Sequence, residues 1–341
     1  MRILLTADPM IPVPPVGYGG IERIVDGLLR EYRAAGHTVA LLAHPASTAP
    51  ADAHFTWPAT ASRLLRNAVA LRRAAKVFKP DLIHSFSRLA YLLPILPTRQ
   101  PVLMSYQRHT GGAQVAWAAR LGGRSLRFTG CSEFICRMGR RAGGTWHAIP
   151  NFVELEKFKF VPEVAPDAPL VFLSRLDDVK SPDIAIAIAR AAKRRLILAG
   201  NRDESGPQRA FFDREIAPHL GRGGIEWIGE VDDSAKNKLL GEAAALLVPI
   251  RWDEPFGIVF AEALACGTPI ISSPRGALPE IVTPGRTGFL IETIEEGVAA
   301  LSRLPLIRRR ECRDVVEQRF SSSTVAEAYL QLFAQLRSAS S

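Results

Sequence analysis

A chain of 341 residues with 47% hydrophobic side chains is long enough for two ordinary cores, and none of its apolar runs reaches the roughly twenty residues of a membrane-spanning helix. Four cysteines, Cys131, Cys136, Cys266 and Cys312, follow no zinc-ligand spacing and read as buried thiols of a reducing compartment. The net charge of +9 is lopsided: residues 1–160 hold 21 Lys and Arg against 9 Asp and Glu, and by difference from totals of 43 and 34 the rest hold 22 against 25. A basic first half is expected to attract anionic lipid headgroups or an acidic acceptor, whereas no base-stacking aromatic pattern accompanies it to suggest nucleic acid.

Apolar strand-like runs alternate with helical segments from the start, the pattern of parallel sheets covered on both faces. Ile3 to Ala7 is too short for a signal-peptide core and reads as the first strand. A proline-rich loop, Pro14-Pro-Val-Gly-Tyr-Gly-Gly-Ile-Glu22, then opens the first helix, where Gly19 and Gly20 would let the backbone approach a phosphate closely. It is not a dinucleotide fingerprint, because Glu22 stands where a small residue is needed. Thr38 to Ala43, Leu82 to His84, Val102 to Tyr106, Arg127 to Gly130 and Thr145 to Ile149 are the further strands of this unit. Between them, Arg63, Arg66, Arg72, Arg73, Lys76 and Lys79 lie on a helical pattern whose apolar side includes Leu64, Ala68, Leu71, Ala75 and Phe78. A second basic cluster is Arg120, Arg124, Arg127, Arg137, Arg140 and Arg141, and either group can be an ordinary solvated face. His109 follows a strand in Arg108-His-Thr-Gly-Gly.

Phe160 to Pro169 is rich in proline and reads as a linker. Leu170 to Leu173, Leu196 to Ala199, Ile225 to Ile228, Ala245 to Val248 and Pro269 to Ser272 repeat the strand pattern in a second unit. Within Ser174-Arg-Leu-Asp-Asp-Val-Lys180, Arg175 and Lys180 precede a helix led by Pro182, where two cations could neutralise a diphosphate. The most distinctive stretch is Glu254-Pro-Phe-Gly-Ile-Val-Phe-Ala-Glu262. Its periodicity predicts a helix from Gly257 to Ala265, with Glu254 in the loop before it and Glu262 roughly two turns inside. The N–H groups of Phe256, Gly257 and Ile258 then fall near the first turn, where they lack intrahelical partners and can bind an anion.

These segments, with Ile149-Pro-Asn-Phe-Val153 and Gly276-Ala-Leu-Pro-Glu280, occur in order along most of the chain and resemble the motifs of retaining glycosyltransferases of family four, also called glycosyl transferases group 1. The resemblance implies the α/β GT-B fold, two facing Rossmann-like doubly wound domains with a cleft between them. It implies an acceptor-binding domain at 1–160, a nucleotide-sugar-binding domain at 161–322, and a C-terminal helix, 323–341, packing back on the first. By the same resemblance Arg175 and Lys180 would neutralise the donor diphosphate, and Glu254 would bind hydroxyls of the donor sugar. Backbone N–H groups around Gly257, Ile258 and Val259 would hold sugar and phosphate, Glu262 the ribose, and Val231 would lie near the nucleobase. His109 resembles the family's histidine that touches donor sugar or phosphate. Two departures stand out: Ser181 replaces the usual glycine after the lysine, and Phe152 stands where glycine is frequent.

The reaction implied is transfer of a sugar from a nucleotide-diphosphate sugar, a uridine or guanosine diphosphate sugar being expected, to a glycolipid, polysaccharide precursor or small-molecule glycoside. Configuration would be retained by same-face attack, with the leaving phosphate taking the acceptor proton. No Asp-X-Asp motif is present, so no metal and no cofactor is expected. The family context, bacterial surface polysaccharide or glycolipid assembly, implies a cytoplasmic protein, with peripheral contact at the inner membrane face expected of the basic domain. A nucleotide-sugar epimerase on the same fold and a non-catalytic nucleotide-binding protein remain open alternatives.

Overall fold

The computed structural model describes every residue except Tyr18, 59–63, Thr110, Gly111 and Ser341, and the side chains of 337–340. Arg63 of the basic helix pattern, Tyr18 of the first motif, and Thr110 and Gly111 beside His109 therefore lie outside the described residues. The chain forms two compact units, Met1–Phe152 with Ser322–Ser341, and Val153–Ser321.

The first unit runs β1 (Arg2–Thr6), α1 (Gly20–Ala34), β2 (Thr38–Ala43), β3 (Ala53–Thr56), α2 (Leu64–Phe78), β4 (Leu82–Ser85), β5 (Val102–Tyr106), α3 (Gly112–Gly122), β6 (Leu126–Gly130), α4 (Glu133–Ala142) and β7 (Trp146–Ala148). Its sheet has the order β3-β2-β1-β4-β5-β6-β7 and is parallel throughout, with Leu4 registered beside Ala40 on one side and Ile83 on the other. Strands β1, β2 and β4 are buried almost end to end, which is why they read as unbroken apolar runs. Strand β3 was not expected; it is an edge strand whose Ala-His-Phe-Thr alternates half-buried and exposed residues. A polar seam crosses this core. His84 bonds Tyr32 (3.2 Å) and Ser105 (2.7 Å), and Ser105 bonds Thr129 (2.6 Å). Burial pushes the His84 imidazole down to about 3, so it is a neutral, satisfied core group. The departure at Phe152 has a local partner: its ring occupies the space over Gly27 of α1, where a Cβ would sit 2.6 Å from it.

The second unit runs β8 (Leu170–Leu173), α5 (Pro182–Ala191), β9 (Leu196–Ala199), α6 (Gly206–Phe211), β10 (Ile225–Trp227), α7 (Asp233–Gly241), β11 (Ala245–Val248), α8 (Ile258–Ala265), β12 (Ile270–Ser272), α9 (Leu278–Ile281), β13 (Gly288–Leu290), α10 (Ile294–Arg303) and α11 (Arg309–Arg319). The sheet order is β10-β9-β8-β11-β12-β13, again parallel. The chain builds outward from β8 in one direction and resumes at β11 in the other. The loops leaving β8 and β11 therefore emerge side by side at the carboxyl edge, the switch point where ligands of such sheets bind. The proline-rich stretch is not a free linker. Val161 N–H donates to the Cys266 carbonyl (3.0 Å), and the Val161 carbonyl accepts from Arg309 (2.8 Å), so it is bound along the second unit.

The last helix, α12 (Ser322–Ser340), belongs to the first unit, where Phe333 meets Tyr32 edge-on at 5.5 Å and Tyr329 lies 4.7 Å from the His84 ring. All four cysteines are buried and unbridged. Among the described residues no helix is long and apolar enough to cross a membrane, and no three His, Cys, Asp or Glu side chains group as a metal site would require.

Candidate active site

The loop after β8 turns sharply before α5. Asp177, buried, accepts from the Lys180 amide (3.0 Å) and pairs with the exposed Arg175 at 2.9 Å. Burial pushes the Asp177 carboxyl up despite the pull of Arg175. Ser181 closes the turn at φ 59°, ψ 50°, the left-handed conformation that a glycine adopts without strain, and its hydroxyl donates to the Asp178 carbonyl (3.2 Å). The departure from glycine thus keeps the glycine backbone. Two opposing effects should nearly cancel in Ser181→Gly: relief of about 1–2 kcal/mol of left-handed strain and loss of a hydrogen bond worth about 0.5–1.5 kcal/mol. Ser181→Val should instead melt lower by about 2 kcal/mol or more, because a branched side chain meets the same strained backbone in a fully buried position. Thermal melts decide this; equal stability of the two variants would mean that the turn relaxes out of the left-handed region.

The turn aims Lys180 at Glu254, on the loop after β11, and the two side chains form an ion pair with 14% and 11% of their surface exposed. Trp252 adds a second donor, its indole N–H 2.9 Å from the same carboxylate, and its ring lies 4.8 Å from the Lys180 ammonium. The two loops are tied together by Arg251. Its amide donates to the Val179 carbonyl (2.9 Å), and its guanidinium holds the Asp183 carboxylate with two bonds (2.9 and 2.6 Å) and the Asp178 carbonyl (3.1 Å). Gly276 completes the support. At φ 59° it lies flat against the backbone of Glu254, which a Cβ would overlap, while Ala277 N–H donates to the Glu254 carbonyl (2.8 Å).

Helix α8 starts at Ile258, one residue later than expected, because Gly257 is its cap in a left-handed conformation (φ 83°). Phe256 is buried against Phe320 and Phe260 is buried as well, whereas Gly257, Ile258 and Val259 are half-buried. The free N–H groups of the first turn are therefore within reach of a ligand beside Glu254. Glu262 lies in the second turn of α8, not two turns in, and is held by Lys236 of α7 at 2.7 Å. The two carboxylates of the motif thus have separate lysine partners. Val231 is half-buried in the loop between β10 and α7.

The expected residues of the first unit gather at its own carboxyl edge. Gly19 caps α1 at φ 156°, where a Cβ would crowd Pro15 at 2.7 Å, and Gly20 is the first residue of that helix. Glu22 is buried, and burial raises its pKa, with Asp8 acting the same way and Arg108 opposing. His109 is exposed after β5, its ring 5.6 Å from Phe134. Trp252, Asp177 and the Arg251–Asp183 clamp were not anticipated; Trp252, an indole in a short polar loop two residues before Glu254, carried a signal that could have been read.

Residues 154–314 match the family model described as glycosyl transferases group 1, and residues 18–157 match that of Glycosyltransferase Family 4. The chain is 26% identical to the glycogen synthase of Mycobacterium tuberculosis over 98% of its own length and 94% of that protein's. Over 50% of this chain and 40% of the other, it is 29% identical to the D-inositol 3-phosphate glycosyltransferase of Mycobacteroides abscessus. Among solved structures, AviGT4, a glycosyltransferase involved in avilamycin A biosynthesis, is 25% identical with a TM-score of 0.74, covering 99% of this chain and 98% of that one. Sucrose-phosphate synthase from Thermosynechococcus elongatus, 22% identical with a TM-score of 0.76 over 99% of both chains, shares the fold. Two doubly wound parallel units with such relatives define a glycosyltransferase of the GT-B class. The chain belongs to family four of those enzymes, its first half matched by the family-four model and its second by the group 1 model.

Proposed function

We propose that this glycosyltransferase moves a sugar from a nucleoside diphosphate donor to a hydroxyl acceptor, with retention of configuration and without a metal ion. The observation that carries this reading is the Lys180–Glu254 pair, placed by adjacent strands at the switch point of the second unit beside the uncapped start of α8. A carboxylate suited to sugar hydroxyls and a cation suited to phosphate are in contact, so a diphosphate sugar presents the matching pair of groups in the matching order. As the bond from the anomeric carbon to the diphosphate breaks, its electrons pass to the leaving phosphate; Lys180, Arg175 and the amides of Gly257, Ile258 and Val259 stabilise that charge. The acceptor oxygen bonds to the anomeric carbon on the same face and its proton goes to the departing phosphate. Glu254, held by two donors, orients donor hydroxyls and forms no covalent intermediate. Glu262 takes the ribose, Val231 lies by the base, and Gly19, Gly20 and His109 keep the roles the resemblance implies.

Support for the donor class comes from HepE of Anabaena, solved with UDP-glucose; it shares this fold at 19% identity and a TM-score of 0.73, covering 98% of this chain. A uridine or guanosine diphosphate sugar is the donor we propose, and a glycolipid, polysaccharide precursor or small-molecule glycoside the acceptor. The test is incubation with a panel of sugar nucleotides and acceptors in EDTA, following diphosphate release and the anomeric proton by NMR. An α-linked product from an α-donor in EDTA supports the reading. An inverted product removes retention, dependence on added metal removes the metal-free clause, and an altered sugar without transfer identifies an epimerase.

A further inference from the structure

Glu262 does not meet a ligand as a free carboxylate. Lys236 holds one of its oxygens, Oε1, at 2.7 Å, and the side chains of Lys236 and Glu262 keep only 17% and 12% of their surface exposed. Among the described residues no donor reaches the other oxygen, Oε2. The ammonium in turn has three N–H groups. One goes to Glu262 and a second faces Asp233 Oδ1 at 3.3 Å, with the Phe158 ring 5.4 Å away. Lys236 stands in the first turn of α7, just after the loop that carries Val231. Its neighbour Asn237 fixes that turn: it accepts from the Lys159 amide (3.1 Å) and the Cys266 thiol (3.4 Å) and donates to the Lys157 carbonyl (3.1 Å). Helix α7 is thus tied to the end of α8 without the ion pair, and a largely buried pair is in any case weak evidence for a stabilising role.

We propose that Lys236 and Glu262 together read the vicinal diol of a ribose, the ammonium donating to the oxygen of one hydroxyl and Glu262 Oε2 accepting from the other hydroxyl. The donor is then a ribonucleoside diphosphate sugar, and deoxythymidine diphosphate sugars fall outside the substrate set. This inference rests on the donor-site reading, which puts Glu262 at the ribose, and adds Lys236 to it as a specificity-determining residue. A carboxylate without a partner could take both hydroxyls on its own two oxygens. Here one oxygen is occupied by the ammonium, so the pair presents a donor and an acceptor side by side, and each hydroxyl has its own partner. A nucleotide that lacks one hydroxyl leaves half of a largely buried charged pair unmatched, and such a site rejects the analogue more strongly than an apolar pocket would.

The full-length protein is titrated by calorimetry with UDP, with GDP, and with the 2′-deoxy and 3′-deoxy forms of each. For the base that binds, the wild type should lose about tenfold or more in affinity with either deoxy form. In Lys236→Met one of these two losses should vanish and the other persist. Each ratio is taken within one protein, so a lower stability of the variant does not enter it. Equal affinity of the wild type for ribo and deoxy forms overturns the proposal and leaves the donor site standing. Two results in Lys236→Met also overturn it: both losses persisting, which means that Glu262 reads the diol alone, and both vanishing, which means that Lys236 only positions Glu262. Binding of none of the six nucleotides removes the donor-site reading and this inference with it.

Discussion

Lys180→Ala is expected to lower turnover by about 10²–10³-fold, the loss typical of removing one preorganised charge-stabilising donor from a transition state. The same substitution has a structural effect that must be separated from the chemical one. Lys180 and Glu254 are each nearly nine-tenths buried, so removing the ammonium leaves a carboxylate held, among the described residues, by the Trp252 N–H. Breaking fully buried pairs costs about 3–5 kcal/mol; with Trp252 retained and some solvent contact, about 2 kcal/mol is expected here. Glu254→Gln added to Lys180→Ala removes the stranded charge. The double variant should therefore recover most of the lost stability and none of the lost turnover. Thermal melts and initial rates on the three proteins form a double-mutant cycle. Recovery of turnover in the double variant would show that the pair only supports the loop, and the donor-site reading would fail with it.

The parts of this site that could be read from the residues are those where local pattern and chemistry coincide. Strands β8 and β11 are buried on both faces, so Leu170 to Leu173 and Ala245 to Val248 read as apolar runs, and the charged residues just after them read as carboxyl-edge loops. Two of the edge strands, β3 and β13, carried no such signal: β3 alternates half-buried and exposed positions, and β13 is three residues long. The supports of Glu254 were also hidden, because they act across sequence distance. Gly276 matters through contact with a backbone 22 positions earlier, and Arg251 through Asp183, 68 positions away. Ser181 hides its role differently, since only its backbone angle shows that a glycine geometry persists without the glycine. Nor does composition separate three adjacent arginines. The side chains of Arg308 and Arg310 are 82% and 58% exposed, while Arg309 between them keeps 9%.

That difference makes the loss of Arg309 costly to the second unit. Its guanidinium donates to the carbonyls of Val161 (2.8 Å), Ala243 (2.9 Å) and Gly241 (2.8 Å) and to the Thr268 hydroxyl (2.8 Å). All four acceptors are neutral, and burial lowers the Arg309 pKa, with no carboxylate among those acceptors to offset it. What holds the charge in place is the end of α7: the carbonyls at Gly241 and Ala243 belong to its last turn and to the residues just past it, where they have no intrahelical partner and where the helix dipole favours a cation. One side chain thus caps α7, fastens the stretch around Val161, and begins α11. Arg309→Ala strands the two buried carbonyls of Ala243 and Gly241 and the half-buried one of Val161, at about 1–3 kcal/mol for each unsatisfied buried group, partly offset by the desolvation no longer required, for a net loss of about 3–5 kcal/mol. Arg309→Lys should recover less than half, because a compact ammonium cannot reach four acceptors that a planar fork serves together. Because the chain has two units, a single unfolding midpoint would blur the effect, and hydrogen exchange followed by mass spectrometry resolves it. Protection should fall by the equivalent of that free energy in peptides from 153–321 and stay unchanged in peptides from 1–152. A loss below about 1 kcal/mol in the second unit would mean that water replaces the guanidinium at the end of α7.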